Sequence, residues 1–166
     1  APLPDTFLKG FGHTLLLGQR GQRAFFAGEV ATNVWWTYFP AAIFFKYPTG
    51  FLLVALPGFV ATWRSTQLSR GRKAALTLPP LCVLGAAMTQ SVNIGVRSVL
   101  PLAPFLALWC AEALASTRER ILRRAAIVLV ATSIFSGVAA YPDFLAYFNP
   151  LLGGTRAAHR WLVDSN

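Results

Sequence analysis

Four apolar runs alternate with short polar segments along this chain: Tyr47–Trp63, Ala74–Met88, Val99–Ala115 and Ala125–Ala140. Each run falls somewhat short of the ~20 residues needed to cross ~30 Å of hydrocarbon. Flanking aromatic and mildly polar residues can extend each one, so the pattern predicts four transmembrane helices. Two of the intervening segments, Arg64-to-Lys73 and Thr117-to-Arg124, are strongly basic and together hold eight of the fifteen Lys and Arg residues. Short loops rich in Lys and Arg stay on the cytoplasmic side of a bilayer. Both basic loops are therefore expected inside, which sends Ala1–Lys46, Thr89–Ser98 and Tyr141–Asn166 to the opposite face. The fold class expected is all-α, a polytopic membrane bundle of about four transmembrane helices plus interfacial helices. Its expected divisions are an extracytoplasmic or interfacial segment (1–46), the four-helix region (47–140) and an extracytoplasmic tail (141–166).

Outside the spans, Phe7, Leu8, Phe11 and Leu15 recur at helical spacing. The stretch Phe7–Leu17 is too short and glycine-rich to span, and it predicts an interfacial helix ending in a turn at Gly18–Gly21. Trp35–Lys46 predicts a second surface-lying element that enters the membrane at Pro48. Aromatic belts are expected at Trp35, Trp36, Tyr38 and Phe39 and at Tyr141, Phe144, Tyr147 and Phe148, with Trp63 and Trp109 at the other interface. Pro79-Pro80 predicts a kink in the second span, Pro57-Gly58 a distortion in the first, and Pro101 with Pro104 the opening turn of the third.

Composition narrows the class. Charged residues make up 13% of the 166 residues, against 55% hydrophobic, where a water-soluble domain carries about 25% charged. Mean hydropathy is +0.51. A formal net charge of +9 would suggest nucleic acid in a soluble protein. Here the charge flanks apolar runs, so anionic headgroups are the expected partners and nucleic acid is not. Cys82 and Cys110 lie within apolar runs without metal-ligand or CxxC spacing and are expected to be free thiols. The absence of an initial Met at Ala1 reads as an excised portion of a longer protein.

Candidate chemistry gathers in the segments facing away from the basic loops: Glu29, Lys46, Gln90, Asn93, Arg97, Asp143, Asn149, His159, Arg160 and Asp164. Arg97 and Lys46 fit either of two roles, snorkelling to headgroups or clamping a phosphate with cationic donors. Glu29 is a solvated turn carboxylate or a group that orients a polar substrate. Glu112, near the inner end of the third span, is expected to pair with Arg118 or Arg120. There is no phosphate-cradling Gly-rich loop, no nucleophile elbow and no HExxH. Mid-span polar residues are few, Thr77, Thr132 and Ser133 being the clearest. That weighs against a transporter, which would put polar or broken helices near mid-membrane. Transporter, channel or non-catalytic membrane scaffold remains the alternative class.

Three motifs carry a resemblance. Gly28 to Pro40 (GEVATNVWWTYFP), followed by Ala41 to Pro48 (AAIFFKYP), resembles the GE-x-S-x-x-GWWYYFP-V-x-F-L-x-K-x-P stretch of bacterial membrane glycosyltransferases of family 39. Asn93 to Arg97 (NIGVR), with Leu100-Pro101, is similar to their N-x-G-x-R-H-x-L-P loop. Pro142 to Asn149 (PDFLAYFN), Gly153-Gly154 and Trp161 to Asn166 (WLVDSN) resemble HP-x-x-L-x-YFN-x-x-x-GG … YL-x-DSN-x-DWGQ. The order and spacing match over nearly the whole chain. Departures include Val34 in place of Gly, and Ser98 and Tyr141 in place of His, which removes any imidazole role at those two positions.

The resemblance implies a transferase of the dolichyl-phosphate-mannose protein mannosyltransferase type. Such an enzyme moves a sugar from a polyprenyl-phosphate donor to an extracytoplasmic acceptor at a bacterial cytoplasmic membrane. In that family the catalytic acid lies in the first extracytoplasmic loop, which nothing here matches. This stretch is then expected to contribute no catalytic residue and to be inactive alone. It would supply lipid-phosphate and substrate contacts through Arg97, Lys46, Glu29 and Asn93. No cofactor is expected from these residues; the partners expected are the lipid-linked sugar donor, an acceptor and membrane lipids.

Overall fold

The computed structural model describes residues 4–20, 24–26, 28–31, 36–89, 96–142 and 144–154. The chain is mostly helical: α1 (Asp5–Arg20), a hairpin of β1 (Ala24–Phe26) and β2 (Glu29–Ala31), α2 (Tyr38–Lys46), α3 (Thr49–Arg64), α4 (Arg70–Thr89), α5 (Ala103–Ser116) and α6 (Arg120–Val138). A 3-10 helix, Val96–Leu102, leads into α5, and two shorter ones, Phe144–Ala146 and Pro150–Leu152, follow α6. The hairpin pairs antiparallel, Phe25 facing Val30 across it.

A helix stands at each of the four predicted spans. Two segments are long and apolar enough to cross a membrane, Val96–Ser116 and Arg120–Val138, and a third qualifies if α2 and α3, bent by 120°, are taken as one broken span. The expected count of four is thus met in helices but not in candidate spans. The difference arises at α4, which begins Arg70-Gly-Arg-Lys73 and carries Pro79 and Pro80. Despite both prolines, α4 is one helix from Arg70 to Thr89.

Packing follows side-chain size. Gly50, Val54, Gly58 and Thr62 recur every four residues on one face of α3, which lets neighbouring backbones approach closely. A Cβ added at Gly58 would stand 1.7 Å from the Trp109 carbonyl oxygen on α5. One added at Gly50 would stand 2.7 Å from the Leu129 carbonyl oxygen on α6. Val54, Ala55, Leu106, Trp109, Cys110 and Ala113 form the core between α3 and α5. Hydroxyls within the helices are satisfied by their own backbone: those of Thr62, Thr77, Thr132 and Ser133 each donate to the carbonyl four residues back, at 2.7–2.9 Å. Outward faces are apolar, with Leu53, Leu56, Val60 and Trp63 of α3 and Ile127, Val128, Ile134, Phe135 and Val138 of α6 exposed. Only 6% of the apolar window of α6 is buried. A stripe of that length open to water would be an aggregation surface; in lipid it costs nothing.

Several local expectations change. α1 runs through Gly18 to Arg20 rather than turning there, since one glycine costs a helix only about 1 kcal/mol. Its Phe7, Leu8, Phe11 and Leu16 are exposed. Of the residues expected in aromatic belts, Trp36, Tyr141 and Phe144 are exposed, whereas Tyr38, Phe39 and Phe148 are core. Trp109 is also core, packed edge-on to Phe59 at 4.8 Å, because Gly58 brings α3 against it. Both cysteines are free; Cys110 is buried, whereas Cys82 is exposed on α4.

Candidate functional site

The bundle has two chemically different ends. At one end both basic turns line a single cavity, through Arg64, Ser65, Thr66 and Gln67 on one side and Glu112, Ser116 and Arg118 on the other. Glu112 and Arg118, one of the two partners expected for it, therefore share that cavity, which Arg120 does not line. At the opposite end, one cluster joins Tyr38, Phe39 and Ala42 of α2, Ala87 of α4, Val99 and Leu102 of the 3-10 helix and Phe148 of the tail, with Phe26 of β1 against it. The three segments expected outside thus converge at one end, away from the basic turns.

The centre of that convergence is the elbow between α2 and α3. Pro48 has no N–H to give the Phe44 carbonyl, and the chain turns by 120°. The last carbonyls of α2 are left without helical donors. Asn149, 1% exposed, supplies them from the tail. Its backbone N–H donates to the Phe45 carbonyl at 2.8 Å. Its side-chain Nδ2 reaches the Phe44 and Tyr47 carbonyls, each at 3.3 Å, and the Thr49 hydroxyl. The amide is held in place from its other side, where Oδ1 accepts the Leu151 N–H at 3.2 Å. Gly153 at φ 93° and Gly154 at φ 61° close this turn in a left-handed conformation suited to glycine; the Gly154 N–H donates to the Asn149 carbonyl. Phe148 stacks on Phe45 at 5.4 Å, and Ser136 of α6 hydrogen-bonds Tyr147 at 3.0 Å.

Below the elbow, an apolar groove of about 350 Å³ runs between α2, α3, α4 and α5. Pro40, Phe44, Leu53, Leu81, Leu106 and Trp109 are among its lining residues. The buried indole N–H of Trp109 has no hydrogen-bond partner among the described residues.

Of the four candidate contact residues, Lys46 closes α2 at the elbow and is half-buried. Arg97 is the second residue of the 3-10 helix and is exposed. The two elements carrying them pack against one another, Ala42 lying one turn before Lys46 and Val99 two residues after Arg97 in the shared cluster. Glu29 opens β2, and its backbone pairs with Phe26. Asn93 lies outside the described residues, as do Gln90, Asp143, His159, Arg160 and Asp164. Among the described residues no three His, Cys, Asp or Glu side chains come together as a metal cage would.

Sequence reasoning placed Asn149 in the polar set without its role. The partners it serves are a hundred or more residues away, beyond any local pattern; the one available signal was Pro48, which announces orphaned carbonyls. No protein-family model, curated protein or solved structure matches the chain.

Proposed function

We propose that this chain is the membrane portion of a bacterial glycosyltransferase that takes a sugar from a polyprenyl-phosphate donor and delivers it to an extracytoplasmic acceptor. In this reading α4 joins the other three as a fourth span. The cytoplasmic membrane surrounds the bundle with its basic turns inside. The motif resemblance supplies the reaction class. The observation that carries the reading physically is the apolar groove between α2, α3, α4 and α5, walled by α2, which ends in Lys46, and by Leu102 of the 3-10 helix that bears Arg97. An isoprenoid needs an apolar slot within the bilayer, and its phosphate needs cationic donors at the interface. Here both belong to neighbouring elements. The elbow holds the Lys46 end of α2 against α3, since Asn149 ties the end of α2 to the start of α3.

In this reading Arg97 and Lys46 hold the lipid phosphate, while Glu29 and Asn93 face the polar part of the substrate. The general base that takes the acceptor's proton lies in none of these positions.

The test is binding of a long-chain polyprenyl phosphate to the purified chain, followed by the fluorescence of groove-lining Trp109 in a background where the other four tryptophans are replaced by Phe. Arg97→Ala is expected to weaken binding about ten-fold, the size of one lost charge-assisted hydrogen bond, and the unphosphorylated polyprenol should bind no better than that variant. Equal binding of phosphorylated and unphosphorylated lipid, or no effect of Arg97→Ala, would refute the reading.

A further inference from the structure

The cavity at the other end of the bundle takes no part in the reading above. It encloses about 720 Å³ between the ends of α3 and α5 and the two turns that follow them. Its lining is divided. Pro57, Val60, Ala61 and Ala115 make an apolar wall that continues the outward face of α3, where Leu56, Val60 and Trp63 are exposed. Arg64, Ser65, Thr66, Gln67, Ser116 and Arg118 make a polar floor, with Glu112 between the two.

We propose that this cavity binds an anionic phospholipid of the leaflet on the basic side, its phosphodiester held between Arg64 and Arg118 and its first methylenes against Val60 and Ala61. Three features select that ligand. Two guanidinium groups from separate turns line one cavity, and each offers a planar fork of donors to phosphate oxygens. Glu112 offsets one of them, so the titratable groups of the lining sum to a single positive charge, matched to a phosphodiester monoanion. The apolar wall opens onto the face of α3 that meets hydrocarbon, which suits a ligand that is half headgroup and half chain. A free phosphate ion could use the floor but not the wall. The remaining basic residues of the two segments, Arg70, Arg72 and Lys73 at the start of α4 and Arg120, Arg123 and Arg124 at the start of α6, are absent from the lining and add a diffuse attraction to the same leaflet. The inference needs the helices to lie in a bilayer and does not depend on the transferase reading.

The experiment follows the unfolding midpoint of the intact chain in mild detergent as phosphatidylglycerol, phosphatidylcholine or inorganic phosphate is added. Native mass spectrometry counts retained lipid. Phosphatidylglycerol is expected to raise the midpoint in a concentration-dependent way, and the other two are not. Arg64→Gln with Arg118→Gln should weaken that response roughly ten-fold or more. Arg70→Gln with Arg72→Gln, which removes the same charge from outside the cavity, should leave it nearly intact. Glu112→Gln should strengthen it roughly three-fold by removing the opposing charge, a gain that misfolding cannot imitate. Equal protection by phosphatidylcholine or by inorganic phosphate would overturn the proposal. So would equal losses in the two arginine pairs, which would mean diffuse attraction only, or weaker binding in Glu112→Gln.

Discussion

Gly58→Ala should destabilise the folded chain by about 3 kcal/mol or more, although it adds one methyl group to a helix. Alanine is the better helix former by about 1 kcal/mol, so local propensity predicts the opposite sign. Packing decides. The new Cβ would stand 1.7 Å from the Trp109 carbonyl oxygen and 2.5 Å from its carbonyl carbon, and backbone atoms cannot rotate aside as a side-chain tip can. α3 and α5 must separate, which opens the core of Val54, Ala55, Leu106 and Cys110; overpacking alone costs about 1–3 kcal/mol, and the lost contacts add to it. Gly85→Ala in α4 is the matched control. Nothing lies within 4 Å of its added Cβ, so that variant should gain up to about 1 kcal/mol. Thermal unfolding in detergent, followed by circular dichroism, should move the two midpoints in opposite directions. A Gly58→Ala midpoint at or above the parent's would show that α3 and α5 do not meet here.

Asn149→Leu is expected to cost about 2–4 kcal/mol. The substitution keeps the branching and the number of side-chain heavy atoms, adds the bulk of two methyl groups, and removes both side-chain donors, leaving the Phe44 and Tyr47 carbonyls and the Thr49 hydroxyl without their tail partner. A buried acceptor stripped of its partner costs about 1–3 kcal/mol, and in a bilayer no water replaces it. The backbone bond from the Asn149 N–H to Phe45 survives, so the tail should loosen rather than detach. Hydrogen exchange should rise at Leu151, whose N–H loses its Oδ1 acceptor. Parent-like exchange and an unchanged midpoint would contradict the role assigned to the elbow.

Much of the architecture was legible from periodicity and charge. All four apolar runs are helices, and the basic segments form turns at a common end because hairpin connectivity alternates ends. The break at Pro48 was also readable, since proline withholds the N–H that would carry α2 onward. What the sequence hid was tertiary. Tyr38 and Phe39 look like belt aromatics until α4, the 3-10 helix and Phe148 cover them. Trp109 looks interfacial until Gly58 draws α5 onto α3. Of the candidate contacts, the sequence identified Lys46 and Arg97 as separate cations; the packing of α2 against the 3-10 helix that carries Arg97 depends on the fold.

The central claim is that lipid surrounds these helices with both basic turns on one face and the elbow end on the other. Single cysteines at Ser69, Thr117 and Tyr141, introduced after Cys82 and Cys110 are replaced, test it by labelling in sealed vesicles with a membrane-impermeant thiol reagent. Positions 69 and 117 should react together from the cytoplasmic side and position 141 from the other. Reaction of all three from one side would contradict the claim.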